Sequence, residues 1–366
     1  MTPFVHKITN ITIKGYKSIK ILPDFKLDNL NVMIGSNGAG KSNFISLFKV
    51  LSEIAEGRLQ NLIRKSGGAN SFLHFGSKAT HDLEVKIDFS PNAYWLKLAP
   101  TADDSLFFEE EGCSYHGVGY ERPFITSVLS NDRQESGLSS QPGNVAASAL
   151  ESIKSWKLYH FHDTSDSSLM KKTGLIDDNS RFRPDASNLA AYLYLLQQKY
   201  PYEFANITDT IKSIAPFFDG FVLRPSSLKT DSIQLEWRHK NSDSYFNASS
   251  LSDGTLRFIC LATLLLQPEE KMPTTILIDE PELGLHPAAV QLLANMLAST
   301  ATRRQIIVST QSVTLINQMK PDSIIVVDRD EEQSQFRQLT TQELDTWLEN
   351  YGLGDMWEKN LIAGRP

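Results

Sequence analysis

A chain of 366 residues with 41% hydrophobic content reads as a soluble globular protein with room for one large domain or two smaller ones. Its formal net charge of −7 argues against a general nucleic-acid or membrane binder. Only Cys113 and Cys260 are present, without metal-ligand spacing. The N-terminus lacks a secretory layout, and the longest apolar run, Phe258 to Leu266, is too short to span a bilayer. The expected location is the cytoplasm, with no membrane partner. Short basic runs remain at Lys14, Lys17 and Lys20, at Lys171-Lys172, at Arg181 and Arg183, and at Arg303-Arg304; each is short enough to be plain solvated surface.

Ile8 to Ile13 alternates apolar and polar residues, and a second strand is expected from Phe25 onward, giving a hairpin-like start. Between them Tyr16, Lys17 and Ser18 could touch a nucleotide, or Tyr16 could be core. Leu30 to Ile34 is a buried strand. It runs into Gly35-Ser36-Asn37-Gly38-Ala39-Gly40-Lys41-Ser42, which fits the phosphate-loop spacing of Gly, four residues, Gly, Lys and Ser or Thr. Asn43 to Ile54 follows as a helix with Phe44, Leu47, Phe48 and Leu51 on one face. Strand, glycine loop and helix are the context this motif needs. The backbone N–H groups of Ser36 to Asn43 and the helix N-terminus would bind phosphates, Lys41 would neutralise the β- and γ-phosphates, and Ser42 would hold Mg²⁺.

Leu83 to Phe89, Tyr94 to Leu98 and Leu106 to Glu111 are three expected strands, an antiparallel layer stitched onto the phosphate-loop sheet. Ser127 to Ser148 is rich in Ser, Asn, Gln and Gly, a loop with too few apolar residues to bury. Trp156 to Phe161 reads as a strand ending in His160-Phe161-His162-Asp163. Alternation puts the two histidines on one face, but no third metal ligand is near in sequence, and His162 with Asp163 suits a strand end facing phosphate better. Helices are expected from Asn188 to Lys199 and from Asn206 to Phe218, and a strand from Ser232 to Arg238.

A second constellation closes the chain. Leu251-Ser252-Asp253-Gly254-Thr255 precedes an apolar helix, which alone is only a helix cap. Thr275 to Asp279-Glu280 is an apolar strand ending in two carboxylates, and strand alternation would aim them differently: Asp279 toward Mg²⁺, and Glu280 as general base toward water. Pro281-Glu282-Leu283-Gly284-Leu285-His286-Pro287 is a rigid turn. Gln305 to Val308 is a buried strand before Ser309-Thr310-Gln311-Ser312, and Ser323 to Val327 is a last core strand.

In this order the motifs resemble those of an ABC-type ATPase of the RecF/SMC branch. Within that branch the chain is similar to stand-alone bacterial AAA-type ATPases whose tail matches Trp357-Glu358-Lys359-Asn360 and Gly364-Arg365-Pro366. The resemblance implies an α/β P-loop head with a mainly parallel core sheet, an antiparallel layer and a helical insert. It implies a single head over 1–366, with an N-terminal lobe at 1–163, an insert at 164–250 and a C-terminal lobe at 251–366. It also implies ATP and Mg²⁺, and a homodimer in which Ser252, Asp253 and Gly254 of one head cap the γ-phosphate held by the other. Gln311 stands at the switch position usually held by His; it cannot carry a proton, but can hydrogen-bond a water or phosphate. The stretch from Lys41 to Ser252 holds no sustained heptads, so no long arm is expected.

Three functions fit. One, suggested by the resemblance, is an ATP-gated switch acting on DNA or on a nuclease or other effector, in repair or anti-phage defence. Another is the ATPase subunit of a membrane transporter, disfavoured by the large insert from Phe72 to Ser250. A third is a nucleotide-binding scaffold with negligible hydrolysis, against which Lys41, Asp279 and Glu280 argue.

Overall fold

Ile11 and Ile13 turn inward along β1 (Asn10–Tyr16), the alternation of a half-buried strand, and Tyr16 is buried at its end. The computed structural model describes residues 7–117, 122–128, 133–141, 143–226 and 229–364. β2 (Ile19–Lys26) returns antiparallel beside β1. β3 (Leu30–Ile34) then crosses to a second sheet and runs into the phosphate loop, followed by α1 (Lys41–Ala55) and α2 (Leu59–Lys65). The chain rejoins the first sheet for β4 (Leu83–Phe89), β5 (Asn92–Pro100), β6 (Leu106–Tyr115) and β7 (Phe124–Ser127), in the spatial order β2-β1-β4-β5-β6-β7.

After α3 (Asn144–Ser155), β8 (Trp156–Tyr159) enters the second sheet as its edge. An inserted stretch holds β9 (Gly174–Leu175), α4 (Leu189–Lys199), α5 (Pro201–Ile214), β10 (Phe218–Val222), β11 (Ser232–Ile233), β12 (Glu236–His239) and β13 (Tyr245–Asn247). Then come α6 (Asp253–Leu266), β14 (Thr275–Asp279), α7 (Pro287–Ala301), β15 (Gln305–Thr310) and α8 (Val313–Ile316). β16 (Ile324–Asp330), β17 (Gln333–Gln338), α9 (Thr341–Leu348) and α10 (Leu353–Glu358) close the fold. The second sheet has the order β17-β16-β3-β15-β14-β8, all parallel except β17, which pairs antiparallel with β16.

Both faces of this sheet are covered, so its strands read as continuous apolar runs. Val32, Ile34, Ile276, Ile278, Ile306 and Val308 face one core, shared with Leu193 of α4, Phe258 of α6 and Leu293 of α7. Met33, Leu277 and Ile307 face the other, shared with Phe44, Leu47 and Leu51 of α1 and with the antiparallel sheet. The parallel register brings the carboxyl ends together, pairing Ile34 with Thr310 and Asp279 with Ser309. Ligands of open parallel sheets sit at that end.

The tail belongs to the same body. Trp357 is fully buried, and its Nε1 donates to the carbonyl of Gly364 at 2.5 Å. Arg365 and Pro366 lie outside the described residues. Among the described residues no helix is longer than 15 residues, so they hold no coiled-coil arm, and none is long and apolar enough to cross a membrane.

Several local expectations change. The expected strand from Phe25 into the phosphate loop is two strands in different sheets. They are parted at Asp28, whose N–H donates to Asn31 Oδ1 at 2.9 Å and whose carbonyl accepts from Asn31 Nδ2 at 2.7 Å. The expected loop at 127–148 does bury apolar groups: Val128, Leu138 and Ala146 are all shut from solvent, and α3 starts at Asn144 because Ala146, Ala149 and Ile153 form a narrow stripe against α1 and the first sheet. Residues 129–132 and 142 of that stretch are outside the described residues. α5 starts at Pro201, not Asn206, since proline at the first helical position loses no needed N–H. The strand expected from Ser232 to Arg238 divides: β11 pairs with β9, whereas β12 pairs with β10 and β13.

Candidate active site

Gly40 caps α1 with φ +119°, no side chain fills the cap, and the first turn carries no acid. The orphan N–H groups of that turn are therefore left for an external anion. A Cβ at Gly40 would run into the hydroxyls of Ser334 and Ser18, so the close approach of β17 requires glycine. Ser334 Oγ also donates to the carbonyl of buried Ala39 at 2.5 Å, and Asn43 Nδ2 donates to Ser18 Oγ at 2.7 Å. The loop is thus fastened from β17 and from the turn between β1 and β2 before any ligand arrives.

Lys41 is only 5% exposed and turns back on the loop, donating to the carbonyls of Gly35 at 2.6 Å and Ser36 at 3.0 Å. Burial lowers its pKa, and the charges of Glu280, Asp279 and Glu282 oppose that shift. Asn37, Gly38 and Ser42 are exposed, Ser42 on the first turn of α1. The arrangement fits a nucleotide triphosphate with its metal: an uncapped helix N-terminus for phosphate, an ammonium beside it, and the oxygen donors of Ser42 and Asp279 for a hard cation.

Asp279 ends β14 and accepts a hydrogen bond from the hydroxyl of its register partner Ser309. Its carbonyl lies 2.9 Å from His162 Nε2. Glu280 does not continue the strand. It sits at φ +43°, with its N–H donating to the carbonyl of Ser309 at 2.9 Å. The left-handed backbone of Glu280 itself, rather than strand alternation, therefore sets the direction of its carboxylate relative to that of Asp279, and such outliers gather at functional sites. Glu280 Oε1 accepts from Gln311 Nε2 at 2.6 Å, and the same nitrogen is 2.8 Å from Asn37 Oδ1.

Beneath this bridge lies Glu282. Its Oε1 accepts from Thr310 Oγ1 at 2.5 Å and from the Gln311 N–H at 3.0 Å, while its Oε2 is buried with no partner. Burial raises its pKa against these hydrogen bonds, and the Glu280 charge adds to the rise.

Ser252 caps α6, accepting from the Thr255 N–H at 3.2 Å, and is exposed with Asp253. Lys171 Nζ lies 3.8 Å from Asp253 Oδ1. A Cβ at Gly254 would run into the carbonyl of Gly284, so α6 meets the turn after Glu280 backbone to backbone. Arg257 secures that contact, donating to the carbonyls of Phe161 at 3.1 Å, Leu283 at 2.8 Å and His162 at 2.9 Å.

The phosphate loop, Asp279, Glu280 and Gln311 thus form one cluster, whereas Ser252 and Asp253 bond locally and make no bond to the loop among the described residues. Tyr16 is fully buried, its hydroxyl 2.9 Å from Ser46 Oγ, so it is core and not a nucleotide contact. His160 and His162 stand with ring centroids 6.1 Å apart, and no group of three metal-ligating side chains is found among the described residues. Sequence reasoning missed Glu282, Arg257 and Ser334 as parts of the site. The Glu of Asp-Glu-Pro-Glu was a visible signal, and Ser334 had none.

Among solved structures the chain is similar to an SMC head bound to the C-winged helix domain of ScpA, with a TM-score of 0.61 and 16% identity over 93% of this chain and 99% of that one. It is also similar to the Smc head domain with an extended coiled coil bound to the C-terminal domain of ScpA derived from Pyrococcus furiosus (TM-score 0.60, 14% identity, 93% and 98% covered). A third is the Smc head domain with a coiled coil and joint from Pyrococcus yayanosii (TM-score 0.56, 10% identity, 93% and 99% covered). At these identities the likeness is one of fold, the nucleotide-binding ATPase fold of an SMC-type head. No curated protein matches the chain. Residues 30–317, well over half of the chain, match the family described as "AAA domain, putative AbiEii toxin, Type IV TA system", and the chain belongs to that family.

Proposed function

We propose that this chain binds ATP with Mg²⁺ at the phosphate loop and hydrolyses it, and that two copies close on ATP as a switch acting on DNA or on a partner effector such as a nuclease. The observation that carries the reading is the Gln311 bridge: one amide joins the phosphate loop at Asn37 to the carboxylate of Glu280. Lys41 leaves the loop carbonyls for the β- and γ-phosphates, and the N–H groups from Ser36 to Asn43 take the remaining oxygens. Ser42 and Asp279 hold the metal, which when bound neutralises phosphate charge. Glu280 accepts the proton of the attacking water, and Gln311 orients that water by hydrogen bonding.

The dimer is supported by α6. Its N-terminus, with Ser252 and Asp253, faces solvent and not its own phosphate loop, and the Asp253 charge is offset by Lys171. A second copy would bring the Ser252 hydroxyl and the Gly254 backbone to the γ-phosphate. A toxin–antitoxin setting in the family's description supports an effector partner, within repair or defence.

Sedimentation tests this reading. Glu280→Gln, which should hold ATP uncleaved, is expected to double its mass with ATP but not with ADP, and adding Ser252→Arg should abolish the shift. A mass indifferent to both nucleotide and Ser252→Arg overturns the gated dimer. Duplex DNA added to the ATP-closed form reads out the DNA arm.

A further inference from the structure

A cleft of about 480 Å³ lies at the edge of the core sheet, between β8, the segment before β14 and residues 178–184. Lys154, Lys157, Arg181, Arg183 and Lys271 line it, against a single acid, Asp178. Arg183 is paired with that acid, Nε to Oδ2 at 2.8 Å, and Lys271 Nζ donates to the carbonyl of Ser180 at 3.3 Å. Lys154, Lys157 and Arg181 form no ion pair with an acid among the described residues. Burial lowers the Lys157 pKa, and the charges of Arg181 and Lys154 push it further down against Glu56. A protein of net charge −7 has no general reason to gather like charges in a concavity, where their repulsion is least screened.

We propose that this cleft is a second ligand site, for a small oligophosphate anion. Arginine forks and lysine ammonium groups together suit phosphate oxygens. The half-open, concave shape, with Met272 and Pro273 in its wall, suits a small molecule more than an extended nucleic-acid backbone. The cleft is separate from the candidate active site. No phosphate-loop residue lines it, nor do Asp279, Glu280 or Gln311; Thr274, which does, precedes β14, and five residues at ~3.3 Å each place about 16 Å between it and Asp279, while the other end of the cleft reaches Tyr159, the register partner of Ile278. Both sites can be filled at once.

The test uses the full chain with its nucleotide site saturated by a non-hydrolysable ATP analogue and Mg²⁺. Calorimetric titration with inorganic pyrophosphate should show one further saturable event. Lys157→Gln with Arg181→Gln should weaken it at least about tenfold while analogue affinity stays unchanged. Absence of the event, or its indifference to the double variant, overturns the proposal. So does a mixed-sequence oligonucleotide that binds through these residues when pyrophosphate does not, which would make the cleft a nucleic-acid surface. Removing mutual repulsion should leave the unliganded melting temperature level or higher. If the double variant melts lower, exposed Arg181→Gln alone is held to the same loss of pyrophosphate binding.

Discussion

Gln311 Nε2 stands 2.6 Å from Glu280 Oε1, so the residue after β15 is hydrogen-bonded to the residue after β14. Neighbouring parallel strands put the two side by side, and the left-handed turn at Glu280 aims its carboxylate at the amide. Gln311→Ala removes the bridge to Asn37 without touching Lys41 or Ser42. ATP affinity should hold within about twofold, and steady-state hydrolysis should fall roughly tenfold, as for a lost orienting hydrogen bond. A variant that loses affinity and keeps its turnover would show that Gln311 binds the ground state instead.

Glu280→Gln keeps the shape of the side chain and removes the base. Hydrolysis should fall by about 10² or more with ATP still bound, whereas Asp279→Asn should weaken binding only when Mg²⁺ is present. Equal phosphate release from wild type and Glu280→Gln would remove Glu280 from the mechanism.

Lys41→Ala deletes the ammonium now satisfied by the carbonyls of Gly35 and Ser36. Nucleotide affinity should drop by roughly ten- to a hundredfold, the worth of charge-assisted hydrogen bonds to phosphate. Fluorescent ATP titration reads this directly, and unchanged affinity would mean the loop binds something else.

The phosphate loop, Asp279-Glu280 and Gln311 were legible because each sits at the end of a short apolar strand, where local pattern and motif coincide. What stayed hidden depends on distant partners. Ser334 contacts Ala39 and Ser18 only because β17 folds back on β16, and nothing in Gln333–Gln338 announces that contact. α3 hid because its buried stripe is made of Ala146, Ala149 and Ile153 in a polar, serine-rich surround, too small a signal for periodicity. The position of Glu280 off the strand is a backbone fact, and residue type alone does not disclose it.

Gly254→Ala places a methyl against the carbonyl of Gly284, where α6 and the turn after Glu280 meet. A shift of the turn strains the Arg257 bond to Leu283, and a shift of α6 strains that bond and those to Phe161 and His162. Urea unfolding should show a loss of about 1–3 kcal/mol, the usual cost of overpacking. A neutral result would show that the helix N-terminus is free to shift.

Glu282 should give the chain a pH-dependent weakness. Its folded pKa is raised above 4.5 chiefly by burial, so the folded state holds its proton more tightly than the unfolded state. Stability is therefore highest, for this group, below pH 4.5 and declines as pH climbs through the raised value. Above it the full cost of a buried charge with an unpartnered Oε2 remains. Glu282→Gln keeps an acceptor for Thr310 Oγ1 and the Gln311 N–H and removes the charge. At pH 8 it should melt above wild type, by an amount on the order of 1 kcal/mol in stability, and that advantage should shrink as pH falls toward 5. A gap that stays constant with pH would mean ionisation is not its cause. Glu282→Ala separates stability from positioning: it also frees the Gln311 backbone, so hydrolysis should fall about tenfold while Glu282→Gln keeps most of its rate. If both variants hydrolyse ATP alike, Glu282 does not hold Gln311 in place.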